Sequence, residues 1–146
     1  MSYDIVEGSI PEALSVLKAL PEFDVLKTTA HYREKIGNKA SLVLLAKKDG
    51  NLIGCKVGYD RFSDGSFYSS LGGVIPDFRK LGIAQKLADR QEQWAREKGY
   101  QSIKFKTLNR HKSMIIFAIK NGFEIYGLKP KDELGNYRIE MIKSLL

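Results

Sequence analysis

Cysteine, histidine and tryptophan are scarce in this chain of 146 residues, which has one Cys, two His and one Trp. The lone Cys55 cannot form an internal disulfide, and it falls in an apolar stretch, so we expect a small core residue in a reducing, cytoplasmic setting. No apolar run approaches the length of a membrane span, and residues 1–9 do not resemble a signal peptide. We therefore expect a cytoplasmic protein without a membrane partner.

Several motifs with well-defined chemistry are also missing. Two histidines and one cysteine do not make up a usual zinc site, and neither CxxC nor HExxH spacing occurs, so we predict no metal. The absence of GxSxG argues against a covalent hydrolase. The sequence also lacks the GxxxxGK of a P-loop and the GxGxxG of a dinucleotide-binding turn.

What is present fits one globular domain over residues 1–146, with 43% hydrophobic and 28% charged residues. The net charge of +7 is unevenly distributed along the chain. Residues 1–78 hold nine Lys and Arg against ten Asp and Glu, whereas residues 79–146 hold fifteen against seven. A basic half of this kind fits a ligand with several phosphates, nucleic acid, or simply a solvated surface.

The hydrophobic pattern alternates between strand and helix signals, which indicates a mixed α/β sheet with helices on both faces. Ser9 and Glu12 form a capping box before the first helix, and Asp49-Gly50 predicts a hairpin. The predicted strands are 2–7, 42–47, 51–59, 66–75, 102–107, 123–127 and 137–143. The predicted helices are 10–20, 23–36, 81–98 and 112–121.

The central feature is the connection between the strand 66–75 and the long helix after it. Pro76 ends the strand, and a basic turn containing Arg79, Lys80 and Gly82 leads into the helix. The first turn of a helix leaves backbone N–H groups unpaired and carries a partial positive charge. Gly82 and Ala84 would let a phosphate approach those amides. The turn therefore predicts a diphosphate site, although solvated charges on an ordinary connection explain it too.

Two motifs resemble landmarks of the GNAT superfamily of N-acetyltransferases. The run Arg79-Lys80-Leu81-Gly82-Ile83-Ala84 fits the signature (Arg/Gln)-x-x-Gly-x-(Gly/Ala), and residues 74–78 resemble the Val-x-Pro-x-x-Arg that precedes it. Residues 119–123 resemble the helix closed by Lys-x-Gly-Phe. The resemblance implies a mostly antiparallel central sheet with a splayed strand pair, and transfer of acetyl from acetyl-CoA to an amine.

The resemblance also implies which residues bind the cofactor. The diphosphate would lie on residues 79–84, and the pantetheine arm would follow the strand at Gly72, Gly73 and Val74. Paired glycines inside a strand independently indicate a bulge or a close backbone approach. Asn109 would both bind the cofactor and cap a turn or helix. Residues Met114 and Phe117 would pack against the cofactor or, as such side chains on helices often do, in the core.

The catalytic residues are less well defined. Many family members carry a Tyr that protonates the leaving thiolate, and the matching position here is Ala118. Because a thiol has a pKa near ~8.5, the thiolate leaves without much protonic help. Asp60 and Tyr68 are candidates for a base and a polar contact, with a hairpin-end acid and a sheet-face aromatic as alternatives. His31, on a helix that lines the acceptor pocket in the family, is a further candidate.

Three functions remain open at this point. The first is an acetyl-CoA-dependent N-acetyltransferase that acts by direct attack in a ternary complex on an unidentified amine. The second, suggested by Ala118, is a protein that binds acyl-CoA without catalysis. The third is a DNA-binding module, since residues 82–88 superficially resemble part of a helix-turn-helix. Residues 84–98 lack the Gly or Pro that such a turn needs, so we do not expect nucleic acid as a partner. Many family members form homodimers, and the sequence leaves this open.

Overall fold

A computed structural model describes residues 2–23 and 26–146. These residues form a seven-stranded sheet in the order β1-β2-β3-β4-β5-β7-β6. The strands are β1 (Asp4–Glu7), β2 (Ser41–Lys48), β3 (Asn51–Tyr59), β4 (Ser66–Val74), β5 (Ser102–Leu108), β6 (Glu124–Lys129) and β7 (Arg138–Ser144). The α-helices are α1 (Ile10–Leu17), α2 (Thr29–Ile36), α3 (Ile83–Glu97) and α4 (Lys112–Lys120). Neighbouring strands are antiparallel except β4 and β5. Among residues 2–23 and 26–146, none of the helices is long and apolar enough to cross a membrane.

The first face of the sheet, called the front, is covered by α1 and α2. The Ser9–Glu12 capping box is present and starts α1, as the sequence predicts. Leu14 and Leu17 of α1 are buried in a cluster with Cys55 and Val57 of β3. Cys55 is thus a core residue, and burial raises the pKa of its thiol to about 12.

The predicted second helix, 23–36, is wrong in its first half. Helix α2 begins only at Thr29, and the Thr28 side chain accepts a hydrogen bond from the N–H of His31. Of the six residues before this start, Asp24 and Val25 lie outside the described part of the chain. The Thr28 hydroxyl supplies the cap that defines the helix start, because it satisfies a backbone donor that has no intrahelical partner.

The opposite face, called the back, is covered by α3 and α4. Ile83, Leu87 and Ala95 of α3 share a buried cluster with residues of β2–β5. Ala118 of α4 packs with Phe105, Ile139 and Met141. Helices therefore lie on both faces, and the mixed, mostly antiparallel sheet predicted from the sequence is confirmed.

The β4–β5 pair is splayed. Its parallel pairing covers only Ser66, Phe67 and Tyr68, which lie opposite Ser102, Ile103 and Lys104. Beyond these residues, β4 continues to Val74 and β5 to Leu108 without pairing to each other. The two strands thus separate toward their carboxyl ends and leave a wedge-shaped opening in the middle of the sheet.

Candidate functional site

The loop between β4 and α3 takes two left-handed steps before the helix begins. A 3-10 turn over Pro76–Phe78 follows the strand. Lys80 then has φ 65° and Gly82 has φ 81°, both in the left-handed region. Gly82 is the N-cap of α3, and among the described residues no side chain caps the helix. The first amides of α3 therefore point outward without an intrahelical acceptor, which is the arrangement that binds anions.

The sequence placed the start of this helix at residue 81, and the structure places it at Ile83. Ile83 is 1% exposed and anchors the first turn in the core, whereas Leu81 is 51% exposed. A Cβ added to Gly82 would meet nothing within 4 Å. The mouth of the loop is thus open, and the described residues leave room for a diphosphate beside the helix N-terminus.

The side chain of Arg79 forms hydrogen bonds and an ion pair with other residues of the protein. Its Nε donates to the Val74 carbonyl at 2.9 Å, and its guanidinium forms an ion pair with Glu22 at 2.7 Å and 3.0 Å. The hydrogen bond from Arg79 lowers the pKa of Glu22. Arg79 thereby connects the end of β4 to the chain segment after α1. The exposed Lys80, by contrast, forms no ion pair among the described residues and is the cation of this loop that is open to a ligand.

The wedge between β4 and β5 opens directly above this loop. Gly72, Gly73 and Val74 pair with β3 on one side and have no strand partner on the β5 side among the described residues. A bulge does lie in β4 beside the two glycines, because Val57 and Gly58 of β3 pair with Leu71 and Ser69 and leave Ser70 as the extra residue. Gly73 has a packing reason of its own, since a Cβ there would lie 2.2 Å from the side chain of Leu20.

An uncapped helix N-terminus at the end of a splayed parallel pair is the geometry that the motifs predict. The family model described as acetyltransferase (GNAT) family matches residues 13–123. The chain belongs to the acetyltransferase (GNAT) family. It is accordingly an acetyltransferase, of a family whose chemistry is acyl-CoA-dependent acetyl transfer.

Solved structures of GNAT enzymes share the fold at low sequence identity. Ard1 from Thermoplasma volcanium has 21% identity and a TM-score of 0.84, with 100% of this chain and 99% of that chain covered. The ribosomal-protein-S18-alanine N-acetyltransferase from Escherichia coli has 12% identity and a TM-score of 0.83, with coverages of 99% and 94%. An aminoglycoside 6'-N-acetyltransferase complexed with coenzyme A has 16% identity and a TM-score of 0.78, with coverages of 98% and 97%. No curated protein matches the sequence.

The other three residues expected to contact the cofactor lie in the turn before α4 and on α4 itself. The side-chain amide of Asn109 donates to the Leu134 carbonyl at 3.1 Å, and its oxygen accepts from Lys112 at 2.6 Å. Asn109 thus holds the turn before α4, which is one of the two roles expected of it, and its contact with the cofactor stays a prediction. Met114 is 38% exposed, and Phe117 is half-buried and outside the buried cluster of α4. Core packing, the commoner role of such side chains, is therefore not their role here.

The GNAT position that often carries a Tyr is closed in this chain. Ala118 is 1% exposed and packs among Phe105, Ile139 and Met141. A tyrosine ring does not fit at this buried position without displacing the sheet residues beneath it. The leaving thiolate therefore receives no proton from this position.

The candidate base Asp60 is engaged at both carboxylate oxygens. Oδ1 accepts from the Ser63 N–H at 3.0 Å, and Oδ2 accepts from the Tyr100 hydroxyl at 3.0 Å. This arrangement favours the hairpin-end role, which was the alternative given for Asp60. Tyr68 is 7% exposed on the front of β4, and burial raises the pKa of its hydroxyl. His31 is exposed on α2, with its ring 5.2 Å from that of Tyr32.

Lys56, which lies beside the wedge, was not predicted from the sequence to be a site residue. Lys56 of β3 pairs with Gly72, and its Cγ would lie 3.6 Å from a Cβ built on that glycine. Cys55 and Val57 point to the front, so Lys56 points to the back, beneath α3. Burial lowers the pKa of Lys56, while the carboxylate of Glu92 acts in the opposite direction. In the sequence, Lys56 lies between the apolar Cys55 and Val57. A lysine on the solvent face of an alternating strand gives the same pattern, so the sequence did not indicate that Lys56 is buried.

The described residues contain no cluster of three or more His, Cys, Asp or Glu side chains that would hold a metal ion.

Proposed function

We propose that this GNAT protein transfers an acetyl group from acetyl-CoA to an amine by direct attack in a ternary complex. The observation that carries the proposal is the uncapped N-terminus of α3, with its left-handed Lys80 and Gly82, at the mouth of the β4–β5 wedge. We infer that the backbone N–H groups of residues 80–84 bind the diphosphate. Lys80 would add a free positive charge, and Arg79 would hold the loop in shape.

The wedge supplies the second part of the cofactor site. Beyond Tyr68, the β5-facing N–H and C=O groups of β4 have no strand partner among the described residues. An extended chain with amide groups, such as a pantetheine arm, can add to that edge as a further strand would. We assign Gly72, Gly73 and Val74 to this contact, with Met114 and Phe117 of α4 packing against the arm.

Acetyl-CoA supplies an acetyl group already activated as a thioester. A β4 backbone N–H near Gly72 would donate to the thioester oxygen as negative charge develops there during attack by the amine. The pKa of a thiol, near ~8.5, makes the thiolate an adequate leaving group without the missing Tyr. The proton of the acceptor ammonium would leave through water. Asp60, Tyr68 and His31 stay candidates for that relay, and the two structural bonds of Asp60 make it the poorest of them.

Binding of acetyl-CoA and turnover can be tested together. We expect saturable binding of acetyl-CoA in calorimetry, and release of thiol when an amine panel is added. Lys80→Glu should weaken acetyl-CoA binding, whereas Lys98→Glu, which makes the same charge change at the other end of α3, should not. Arg79→Glu is a poor probe, because it also breaks the contact with Glu22. Absence of saturable binding would contradict the proposal.

A second function has an observation in its favour. The buried Ala118 is compatible with a protein that binds acyl-CoA but transfers nothing. Tight acetyl-CoA binding without thiol release to any amine would establish that alternative. The helix-turn-helix interpretation is wrong, because α3 runs from Ile83 to Glu97 as one helix.

The setting of the enzyme is also part of the proposal. We place it in the cytoplasm, on the basis of its single buried thiol. Homodimer formation stays a prediction, with the exposed Ile125 and Leu128 of the outer strand β6 as the surface to examine.

A further inference from the structure

In the described part of the chain, no helix covers the front of β5, β6 and β7. Helix α1 packs over β2, β3 and β4, and α2 packs on α1. On β5, Ile103 and Phe105 point to the back, where α3 and α4 lie. Because side chains alternate along a strand, Lys104 and Lys106 point to the uncovered front, about 7 Å apart along the strand.

Cations are concentrated on this front surface, which we call the basic face. It consists of Arg61 after β3, Lys104 and Lys106 of β5, Lys129 of β6 and Arg138 of β7. The register places Arg138 opposite Leu108 on one side and Lys129 on the other. Lys106 lies opposite Glu140. Neighbouring strands thus bring these cations within a few ångströms of one another across the sheet.

Three acidic side chains face the front beside the five cations of the basic face, namely Asp64, Glu140 and Glu124, which lies opposite Ile142. Lys104 Nζ lies 2.8 Å from Asp64 Oδ2, so Asp64 is used by one lysine. Glu140 lies over Gly127, where a Cβ would come 2.8 Å from its carboxylate. Among the described residues, Arg61, Lys106 and Arg138 form no ion pair. The basic face therefore has an excess of positive charge that the protein does not neutralise.

Aromatic rings hold these cations in position. Arg61 and Lys104 each lie 5.3 Å from the centre of the Phe62 ring, and Lys106 lies 5.7 Å from it. Phe62 in turn packs edge-on against Tyr68 at 5.7 Å. Interactions of this kind fix long side chains that would otherwise be mobile. The basic face is thus partly ordered before any ligand arrives.

The titration of Lys106 is consistent with crowding of like charges. The pKa of Lys106 is lowered first by burial and then by repulsion from Arg61, and also from Lys129 and Arg138. Glu140 acts in the opposite direction. An incoming anion would relieve the repulsion among these groups.

The basic face adjoins the wedge that the proposed function assigns to the acyl donor. The last paired residues of β4 and β5 are Tyr68 and Lys104. Lys106 is the next front-facing residue of β5, so it lies where the two strands begin to separate. Phe62 and Lys129 are exposed, so the surface is open rather than enclosed. An open surface beside the reacting centre suits an extended acceptor better than a small enclosed one.

We propose that the acceptor is an amine carried by an acidic peptide, whose carboxylates bind the basic face through Lys106, Arg138 and Arg61. This inference rests on the proposed function, because it describes the second substrate of the same site. It predicts that the enzyme discriminates against polycationic amines, which the five cations would repel.

The test compares two peptides that differ only in charge. One has the sequence Ala-Glu-Glu-Lys-Glu-Glu and the other Ala-Gln-Gln-Lys-Gln-Gln, so both offer an N-terminal and a lysine amine. With acetyl-CoA in excess, we expect kcat/KM to be at least about tenfold higher for the acidic peptide, and the ratio to shrink as salt is raised. Spermidine, a polycation, should be a poorer acceptor than either peptide.

Variants then locate the effect. Lys106→Gln and Arg138→Gln should each lower kcat/KM for the acidic peptide about threefold or more, and by a larger factor than for the amide peptide, so that the ratio between the two peptides shrinks. Lys98→Gln removes one positive charge at an exposed site on α3 and should change neither value. Binding of the acidic peptide in a fully acetylated, unreactive form should weaken in the same two variants and not in the control.

Several results would overturn the inference. Equal kcat/KM for the two peptides would refute the inference but leave the acetyltransferase function intact. A higher kcat/KM for spermidine or for free glutamate than for the acidic peptide would have the same consequence. Tighter binding of duplex DNA than of the acidic peptide to the basic face would assign the surface to nucleic acid instead. No transfer to any amine, together with no binding of acetyl-CoA, would defeat both the inference and the proposed function.

Discussion

Substitution of Gly82 separates the cofactor role of the α3 N-terminus from its structural role. Gly82 has φ 81° and Gly99, just past the other end of α3, has φ 89°. A Cβ at either glycine would meet none of the described residues within 4 Å. Alanine in the left-handed region costs about 1–2 kcal/mol, and the loss of unfolded-state entropy offsets about 0.4–1 kcal/mol of that. Gly82→Ala and Gly99→Ala should therefore lower the free energy of unfolding by a similar amount, on the order of 1 kcal/mol.

Their effects on cofactor binding should differ strongly. Relaxing residue 82 out of its left-handed conformation turns the neighbouring amides away from the diphosphate. A hydrogen bond to a charged group contributes about 1.5–3 kcal/mol, so losing one raises the Kd for acetyl-CoA about ten- to a hundredfold. Calorimetry with both variants, beside chemical denaturation, measures the two quantities. A Kd for Gly82→Ala within about twofold of that for Gly99→Ala would show that the left-handed conformation of residue 82 does not orient the amides that bind the diphosphate.

Three further predictions concern other residues of the site. Glu22→Gln should lower stability at neutral pH by less than about 1 kcal/mol, since Glu22 and Arg79 are 43% and 38% exposed. Because the folded pKa of Glu22 is lowered, that difference should be present above the unfolded pKa of about 4.5 and vanish as pH falls through the folded value, in denaturation at a series of pH values. Ala118→Tyr should lower Tm without raising kcat, because the site is buried; a gain in kcat would show that the ring reaches the thiol. Lys56→Met should raise stability at neutral pH by about 1 kcal/mol. The wild-type free energy of unfolding should rise with pH between the lowered folded pKa of Lys56 and 10.5, and the variant should lose that rise; an unchanged pH profile would contradict the burial of the charge.

The sequence predicted those features that local chemistry determines. Glycine at position 82 can adopt the left-handed backbone conformation found there. Pro76 has no backbone N–H to donate to a neighbouring strand, so strand β4 ends before it. Ser9 and Glu12, three residues apart, form the capping box of α1. Each of these signals acts within a few residues, so the strand, loop and helix around the diphosphate site follow from it. The family motifs then supplied the splayed pair, which periodicity alone does not show.

Features that depend on distant contacts were not predicted. The sequence predicted that the charge of Arg79 is available to a phosphate. Its ion-pair partner Glu22 could not be predicted, because it lies 57 residues earlier in the chain. The glycines at 72 and 73 indicated a bulge or a close backbone approach, and a bulge lies beside them at Ser70, but the packing of Leu20, from the chain after α1, against Gly73 was not predicted. The basic face likewise combines residues of four separate segments, and only the sheet order brings them together. Local pattern does not carry that information.

We propose that the loop entering α3 binds the diphosphate of acetyl-CoA through its backbone. A crystal structure of the protein with coenzyme A would show this contact. We expect diphosphate oxygens at about 2.7–3.2 Å from at least two backbone nitrogens of residues 80–84, with the Arg79–Glu22 pair intact. A bound coenzyme whose diphosphate lies elsewhere on the protein, or contacts this loop only through side chains, would contradict it.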